Sequence, residues 1–133
     1  MVVDTSALLA ILQREAERDL FLTRIESAPI RMISAANATE ASMVVLSRRG
    51  DAGLAIFQAL LADLRIETAP LTADHVGLVV EAFRRFGKGR HRAGLNLGDC
   101  FAYALARATG EPLLFKGDDF IHTDIKPALE PPR

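Results

Sequence analysis

Met1-Val2-Val3-Asp4-Thr5-Ser6-Ala7-Leu8 opens the chain with three apolar residues, three short polar ones and then a helix-forming run. Met1 to Val3 is β-prone, and Asp4, Thr5 and Ser6 are the residue types that cap a helix, here one beginning near Ala7. A strand that ends on an acid and passes at once into a helix is the first half of an α/β unit. Leu8, Leu9, Ile11 and Leu12 feed that helix, and Leu20, Phe21, Leu22 and Ile25 supply a second one ending before Pro29. The order then repeats. Ile30 to Ile33 reads as a strand, and Ser34 caps a helix from Ala35 to Arg49 that Gly50 closes. A further helix spans about Ala52 to Leu64.

Arg65 to Thr68 reads as a third strand, followed by a helix capped by Thr72 in which Val76, Val79, Val80 and Phe83 keep helical spacing as far as Gly87. Lys88 to Leu97 is a glycine-containing loop. Asn96 and Asp99 stand three apart, as the cap and third residue of a helix reaching Gly110. Leu113 to Phe115 is a last buried strand, before an acidic turn and a Pro-rich tail. Strands alternating with helices predict one α/β domain over residues 1–133, with a short parallel sheet covered on both faces. In such sheets ligands gather beyond the carboxyl ends of the strands.

Composition agrees with a self-sufficient core. The 133 residues are 50% hydrophobic, carry 16 Lys plus Arg against 17 Asp plus Glu, and have a mean hydropathy of +0.17. This argues against disorder, and the formal net charge of -1 argues against a globally basic nucleic-acid binder. The lone Cys100 excludes an internal disulfide framework and a cysteine zinc site, which suits a reducing, cytoplasmic setting. No run approaches the roughly 18 to 20 apolar residues of a membrane helix, and Asp4 interrupts a signal-peptide reading. Ala, at 21 residues, makes the apolar half suited to helix faces.

Most of the acids sit among charged or turn residues, as Glu15, Glu17 and Asp19 do, and belong to solvated faces. Four positions differ. Asp4 ends the first strand, and Glu40 lies on the helix after the second. Asp99 opens a nearly charge-free helix, and Asp118 with Asp119 follows the last strand. Taken singly, Asp4 and Asp99 are explained by helix capping, and Asp118 with Asp119 by a turn. Together, at one edge of a parallel sheet, they would repel and raise one another's pKa unless a cation compensated. All-oxygen ligation selects Mg²⁺ or Mn²⁺, whereas His75, His91 and His122 offer neither paired spacing nor a companion cysteine. Such a site suits phosphoryl chemistry, in which a metal activates water and neutralises phosphate charge. No G-x-S-x-G elbow or phosphate-binding glycine loop is present. A local basic strip, Arg84, Arg85, Lys88, Arg90, His91 and Arg92, precedes Asp99, and Lys116 stands beside the acidic turn; the strip reads either as a solvated loop or as a grip on nucleic-acid phosphates, for which Lys88, Arg90, Arg92 and Lys116 are the candidates.

Met1 to Leu8, Ala38-Thr39-Glu40, Leu95 to Ala104 and Leu113 to Phe120, in this order and spacing, resemble a PIN-domain ribonuclease. The chain is most similar to the VapC type of toxin from bacterial type II toxin-antitoxin pairs, over essentially its full length. That resemblance implies an α/β/α sandwich and Mg²⁺- or Mn²⁺-dependent endonucleolytic cleavage of structured RNA, transfer or ribosomal, with inhibition by a small VapB-type antitoxin. By position, Asp4 and Asp99 match the family's principal metal ligands and Glu40 its acid on the third helix. Many members carry Asp, any residue, Asp and an aromatic after the last strand. Here Gly117 takes the first of those places, so Asp119 before Phe120, or Asp118 in a turn shifted by one, supplies the fourth acid. Thr5 or Ser6 matches the hydroxyl that supports the first Asp, and Asn96 supports Asp99. A homodimer is also expected, and the apolar surplus on the first two helices suits a surface for it or for an antitoxin helix.

Three readings compete. A stand-alone PIN nuclease of RNA processing would lack the antitoxin. A metal-dependent phosphatase of the haloacid-dehalogenase kind needs a second Asp two residues after the first, where Ser6 stands. A receiver-like binding module needs an acidic pair after the first strand, which is missing.

Overall fold

A computed structural model describes residues 1–130; the end of the expected Pro-rich tail, Pro131, Pro132 and Arg133, lies outside them. The described residues form four strands, β1 (Val2–Val3), β2 (Met32–Ser34), β3 (Glu67–Ala69) and β4 (Leu113–Leu114). With them are five helices, α1 (Thr5–Leu12), α2 (Arg18–Ser27), α3 (Ala35–Asp63), α4 (Ala73–Phe86) and α5 (Leu97–Thr109). All strand pairs are parallel, in the order β3-β2-β1-β4. Val2 pairs with Met32 on one side and Leu113 on the other, and Val3 pairs with Leu114.

Because successive strand side chains point to opposite faces, two residues suffice to divide the core in two. Val3, Ile33 and Leu114 join a cluster with Leu8, Ile25 and Phe57, under α1, α2 and α3. Val2 and Leu113 join Leu95, Cys100, Tyr103 and Phe120, under α4 and α5. Each fully buried Leu, Ile or Phe contributes about 1.5 to 3 kcal/mol. The result is the expected α/β/α sandwich. Beyond β4, the chain returns to cover that strand's outer edge. Leu113 N donates to Lys126 O at 3.0 Å and Ala128 N to Leu113 O at 2.8 Å.

The strand order places a topological switch between β1 and β4, where the chain, after laying down β1, β2 and β3 in one direction, returns on the other side of β1. The carboxyl ends of these two neighbours carry Asp4 and the acidic turn. Elsewhere the strands fall one or two residues later than expected, β2 at Met32–Ser34 and β3 at Glu67–Ala69. Ser34 closes β2 and also caps α3, accepting from Ala36 N at 3.3 Å. The two helices expected around Gly50 run as one helical stretch with a break at that residue, whose φ of 68° suits glycine. Thr72 precedes α4 but makes no side-chain capping bond.

The apolar surplus expected on α1 and α2 is mostly core. Leu8, Ile11, Phe21 and Ile25 are buried, and Leu9, Leu12 and Leu22 pack against the same cluster, leaving Leu20 exposed. The larger exposed apolar strip lies instead on α4, at Val76, Val80 and Phe83, beside Leu97.

Candidate active site

Asp4 stands where β1 becomes α1. Its backbone still belongs to the sheet, with Asp4 N donating to Leu114 O at 2.9 Å. Its side chain already caps the helix, with Oδ2 accepting from Ser6 N at 3.0 Å and from Ser6 Oγ at 2.5 Å. Ser6 Oγ in turn accepts from Lys116 N, just past β4, at 3.0 Å. One hydroxyl therefore ties the exit of β4 to the first acid. Thr5, the other candidate for that role, turns away and donates to Asn37 O at 3.4 Å. Asp4 is only 4% exposed. Burial pushes its carboxyl well above the usual range, against the pull of the Ser6 bonds, and the charge of Glu40 pushes the same way.

Asp99 opens α5 in a reciprocal capping box. Asp99 N donates to Asn96 Oδ1 at 2.9 Å, and Asn96 N donates to Asp99 Oδ2 at 3.1 Å. The Asn96 support expected for Asp99 is thus present. The Asp99 carboxyl is pushed up to about 7, chiefly by burial, against the Asn96 N–H, with Asp4 and Asp119 adding repulsion. Glu40, on α3, reaches across to the same edge. Its Oε1 and Oε2 lie 2.8 and 2.9 Å from where a Cβ on Gly98 would sit, so its carboxylate occupies the space left by the missing side chain.

The acidic turn is divided by its geometry. Gly117 adopts φ 104°, a conformation open to glycine, and the chain then swings Asp119 toward Asp99. Asp118 lines a separate cleft with Leu20, Phe21, Phe115 and Ile121. Asp4, Glu40, Asp99 and Asp119 are brought together; Asp118 is not among them.

The basic candidates are dispersed. Lys116 Nζ is held by Glu15 and Glu17, which engages it with its own chain. Arg90 Nε donates to Arg84 O at 3.3 Å, with its guanidinium over Phe83. Lys88 and Arg92 are exposed, and among the described residues neither side chain is hydrogen-bonded or ion-paired.

Two residues at the edge escaped the sequence reading. Gly98 makes room for Glu40, and Asn37, 1% exposed on the first turn of α3, donates through Nδ2 to Gly98 O at 2.9 Å. The available signals were a glycine directly before Asp99 and an amide one helical turn before Glu40.

The edge is a set of carboxylates that face one another without a cationic side chain. Among the described residues no Lys or Arg forms an ion pair with Asp4, Glu40, Asp99 or Asp119. Nor do three such groups close around one point as a finished metal cage. Two carboxyls raised chiefly by burial, with the neighbouring acids adding repulsion, and a site offering only oxygen fit a hard divalent cation that keeps much of its own water and takes one or two carboxylates directly.

The PIN domain family matches residues 1–126. Ribonuclease VapC30 of Mycobacterium tuberculosis is 45% identical over 125 residues, 94% of this chain and 95% of that one. Ribonuclease VapC of Mycolicibacterium smegmatis is 45% identical over 125 residues, 94% of this chain and 97% of that one. The crystal structure of Mycobacterium tuberculosis VapC20, described as a sarcin-ricin loop cleaving toxin, superposes with a TM-score of 0.74 over 98% of both chains at 20% identity. With its fold, its acidic sheet edge and these relatives in view, the chain belongs to the PIN-domain family, among the VapC ribonucleases.

Proposed function

We propose that this protein is the toxin of a type II toxin-antitoxin pair, a Mg²⁺- or Mn²⁺-dependent endoribonuclease that hydrolyses phosphodiester bonds in structured RNA. The observation that carries this reading is the gathering of Asp4, Glu40, Asp99 and Asp119 at the β1/β4 switch point with no cationic side chain to balance them. Asp4 and Asp99 would hold the cation, with Glu40 and Asp119 completing its surroundings. When bound, the cation supplies Lewis-acid stabilisation of phosphoryl charge and lowers the pKa of water.

The chain's own residues do the positioning. Ser6 keeps Asp4 oriented through its hydroxyl, and the Asn96 capping box fixes Asp99 at the start of a rigid helix. Glu40 and Asp119 stand on the solvent side of these two, where an RNA phosphate would arrive and where a carboxylate can accept a proton from the attacking water. Lys88, Arg90 and Arg92 flank the approach in sequence and would take phosphates of the RNA.

Transfer or ribosomal RNA is the substrate class favoured, in keeping with the sarcin-ricin loop named for the VapC20 relative. The regulator in this reading is a VapB-type antitoxin, and the compartment is the cytoplasm. No described helix is long and apolar enough to cross a membrane. A homodimer belongs to the same reading, and the exposed strip of Val76, Val80, Phe83 and Leu97 supports it.

The test is cleavage of purified transfer and ribosomal RNA with Mg²⁺, with Mn²⁺ and with EDTA, for the wild type and for Asp4→Asn and Asp99→Asn. Cleavage is expected only with metal and in neither variant. Undiminished cleavage by either variant, or in EDTA, overturns the assignment. Light scattering with and without a co-expressed antitoxin reads the assembly.

A further inference from the structure

We infer that Asn37 is a positioning residue of the acidic edge, its side chain holding the backbone that leads into Asp99 against the helix that carries Glu40. It lies one turn before Glu40 on α3 and is 1% exposed. Its Nδ2 donates at 2.9 Å to the carbonyl of Gly98, the residue directly before Asp99. Its main-chain carbonyl accepts from the side-chain hydroxyl of Thr5, the residue directly after Asp4, across a long 3.4 Å contact. A single buried residue thus touches the immediate neighbours of two acids and shares a helix with the third.

Packing strengthens the connection. Gly98 receives two successive turns of α3, with the Asn37 amide on its carbonyl and the Glu40 carboxylate over its Cα. A displacement of α3 against α5 would therefore move Glu40 and Asp99 relative to one another. Stability alone is a poor reason for an amide here. Asn37 Oδ1 is buried and, among the described residues, has no hydrogen-bond partner. A buried polar atom left unpaired works against folding, so an apolar residue would serve a purely structural role better. What the amide adds is a directional tie at the place where the acids must keep their spacing, and groups that orient carboxylates in this way commonly govern cation affinity.

This inference rests on the proposed divalent-cation site, and the experiment separates the two. The ¹⁵N-labelled full chain is titrated with Mg²⁺ while the Asn37 side-chain amide and the backbone amides of Asp4 and Asp99 are followed by NMR. Calorimetry then gives the Mg²⁺ affinity of the wild type, Asn37→Ser and Asn37→Leu. The Asn37 amide should be protected from exchange and should shift over the same Mg²⁺ range as Asp4 and Asp99. Both variants should bind Mg²⁺ about tenfold or more weakly, Asn37→Leu more so than Asn37→Ser. A folded variant whose affinity stays within about twofold of wild type, whatever its melting temperature, overturns the inference. So does an unmoved Asn37 amide beside shifting Asp4 and Asp99, a result that needs no variant to fold. No Mg²⁺ response at Asp4 or Asp99 removes the cation site itself and this inference with it.

Discussion

Gly98→Ala separates the stability of this fold from the arrangement of its acids. Gly98 has no positive φ, so alanine is acceptable to the backbone, and near the start of a helix it stabilises by about 0.4 to 1 kcal/mol over glycine. The new Cβ meets Glu40 Oε1 at 2.8 Å, Oε2 at 2.9 Å and Cδ at 3.2 Å. Ordinary carbon–oxygen approach is about 3.3 to 3.6 Å, so the carboxylate must retreat by roughly half an ångström. It can do so cheaply, because it is the free end of an exposed, flexible side chain. The melting temperature should therefore hold or rise by a few degrees. Cleavage should fall about 10-fold or more, since a displacement of about 1 Å in a catalytic arrangement can cost about 100-fold. The assay is thermal unfolding of the metal-free protein beside single-turnover RNA cleavage, with Glu40→Gln as a reference. Full activity in Gly98→Ala would refute the placement of Glu40 as functional. A loss of more than about 2 kcal/mol in stability would refute the argument that Glu40 can yield, because only an immovable contact costs that much.

Other outcomes follow from the same contacts. Ser6→Ala removes both the Asp4 bond and the acceptor of Lys116 N, and should cost about 1 to 2 kcal/mol by denaturant titration along with much of the cleavage activity. Mg²⁺ should raise the melting temperature of the wild type, and Asp99→Asn should shrink that increment; an equal increment in both would count against Asp99 as a ligand. Arg90→Ala with Arg92→Ala should weaken RNA binding and lower its log–log salt slope by about one to two, whereas an unchanged slope would show a loop that merely faces solvent.

The lock between α5 and the chain end titrates at both extremes. Tyr103 donates to Asp124 Oδ1 at 2.7 Å, and Arg85 and Arg107 lie on the same carboxylate. Burial raises the Asp124 carboxyl, but the Tyr103 bond and the two arginines outweigh it and hold the pKa below the usual value of 3.8. Its contribution is present above that value and is lost as pH falls through the depressed folded pKa. Burial and the Asp124 bond push the Tyr103 hydroxyl up to about 12, so its contribution is present below about 10 and is lost as pH rises through about 12. Tyr103→Phe should accordingly be less stable than wild type near neutrality, with the difference closing in strong acid and strong base. Denaturant midpoints across pH give the measurement, and a pH-independent difference would contradict it.

Local grammar alone determined the order of elements, the acid after the first strand and the Asn96–Asp99 capping box, because capping and strand-to-helix transitions depend on residues within a few positions of one another. It also placed four acids at strand ends and helix starts, from which a parallel sheet implies a common edge. Only the tertiary structure decided which neighbours serve that edge. Asp118 and Asp119 are adjacent in sequence, yet the turn at Gly117 sends one toward Asp99 and the other into a separate cleft. Thr5 and Ser6 are equivalent as hydroxyls, and the first turn of α1 aims only Ser6 back at Asp4. Lys116 reads as a free cation until Glu15 and Glu17, some hundred positions earlier, close on it. Asn37 and Gly98 carry no chemistry of their own, and they matter only because α3 and α5 pack closely enough for one to reach the other. Side-chain direction and helix-to-helix approach are set by contacts between residues distant in sequence, and no local pattern encodes them.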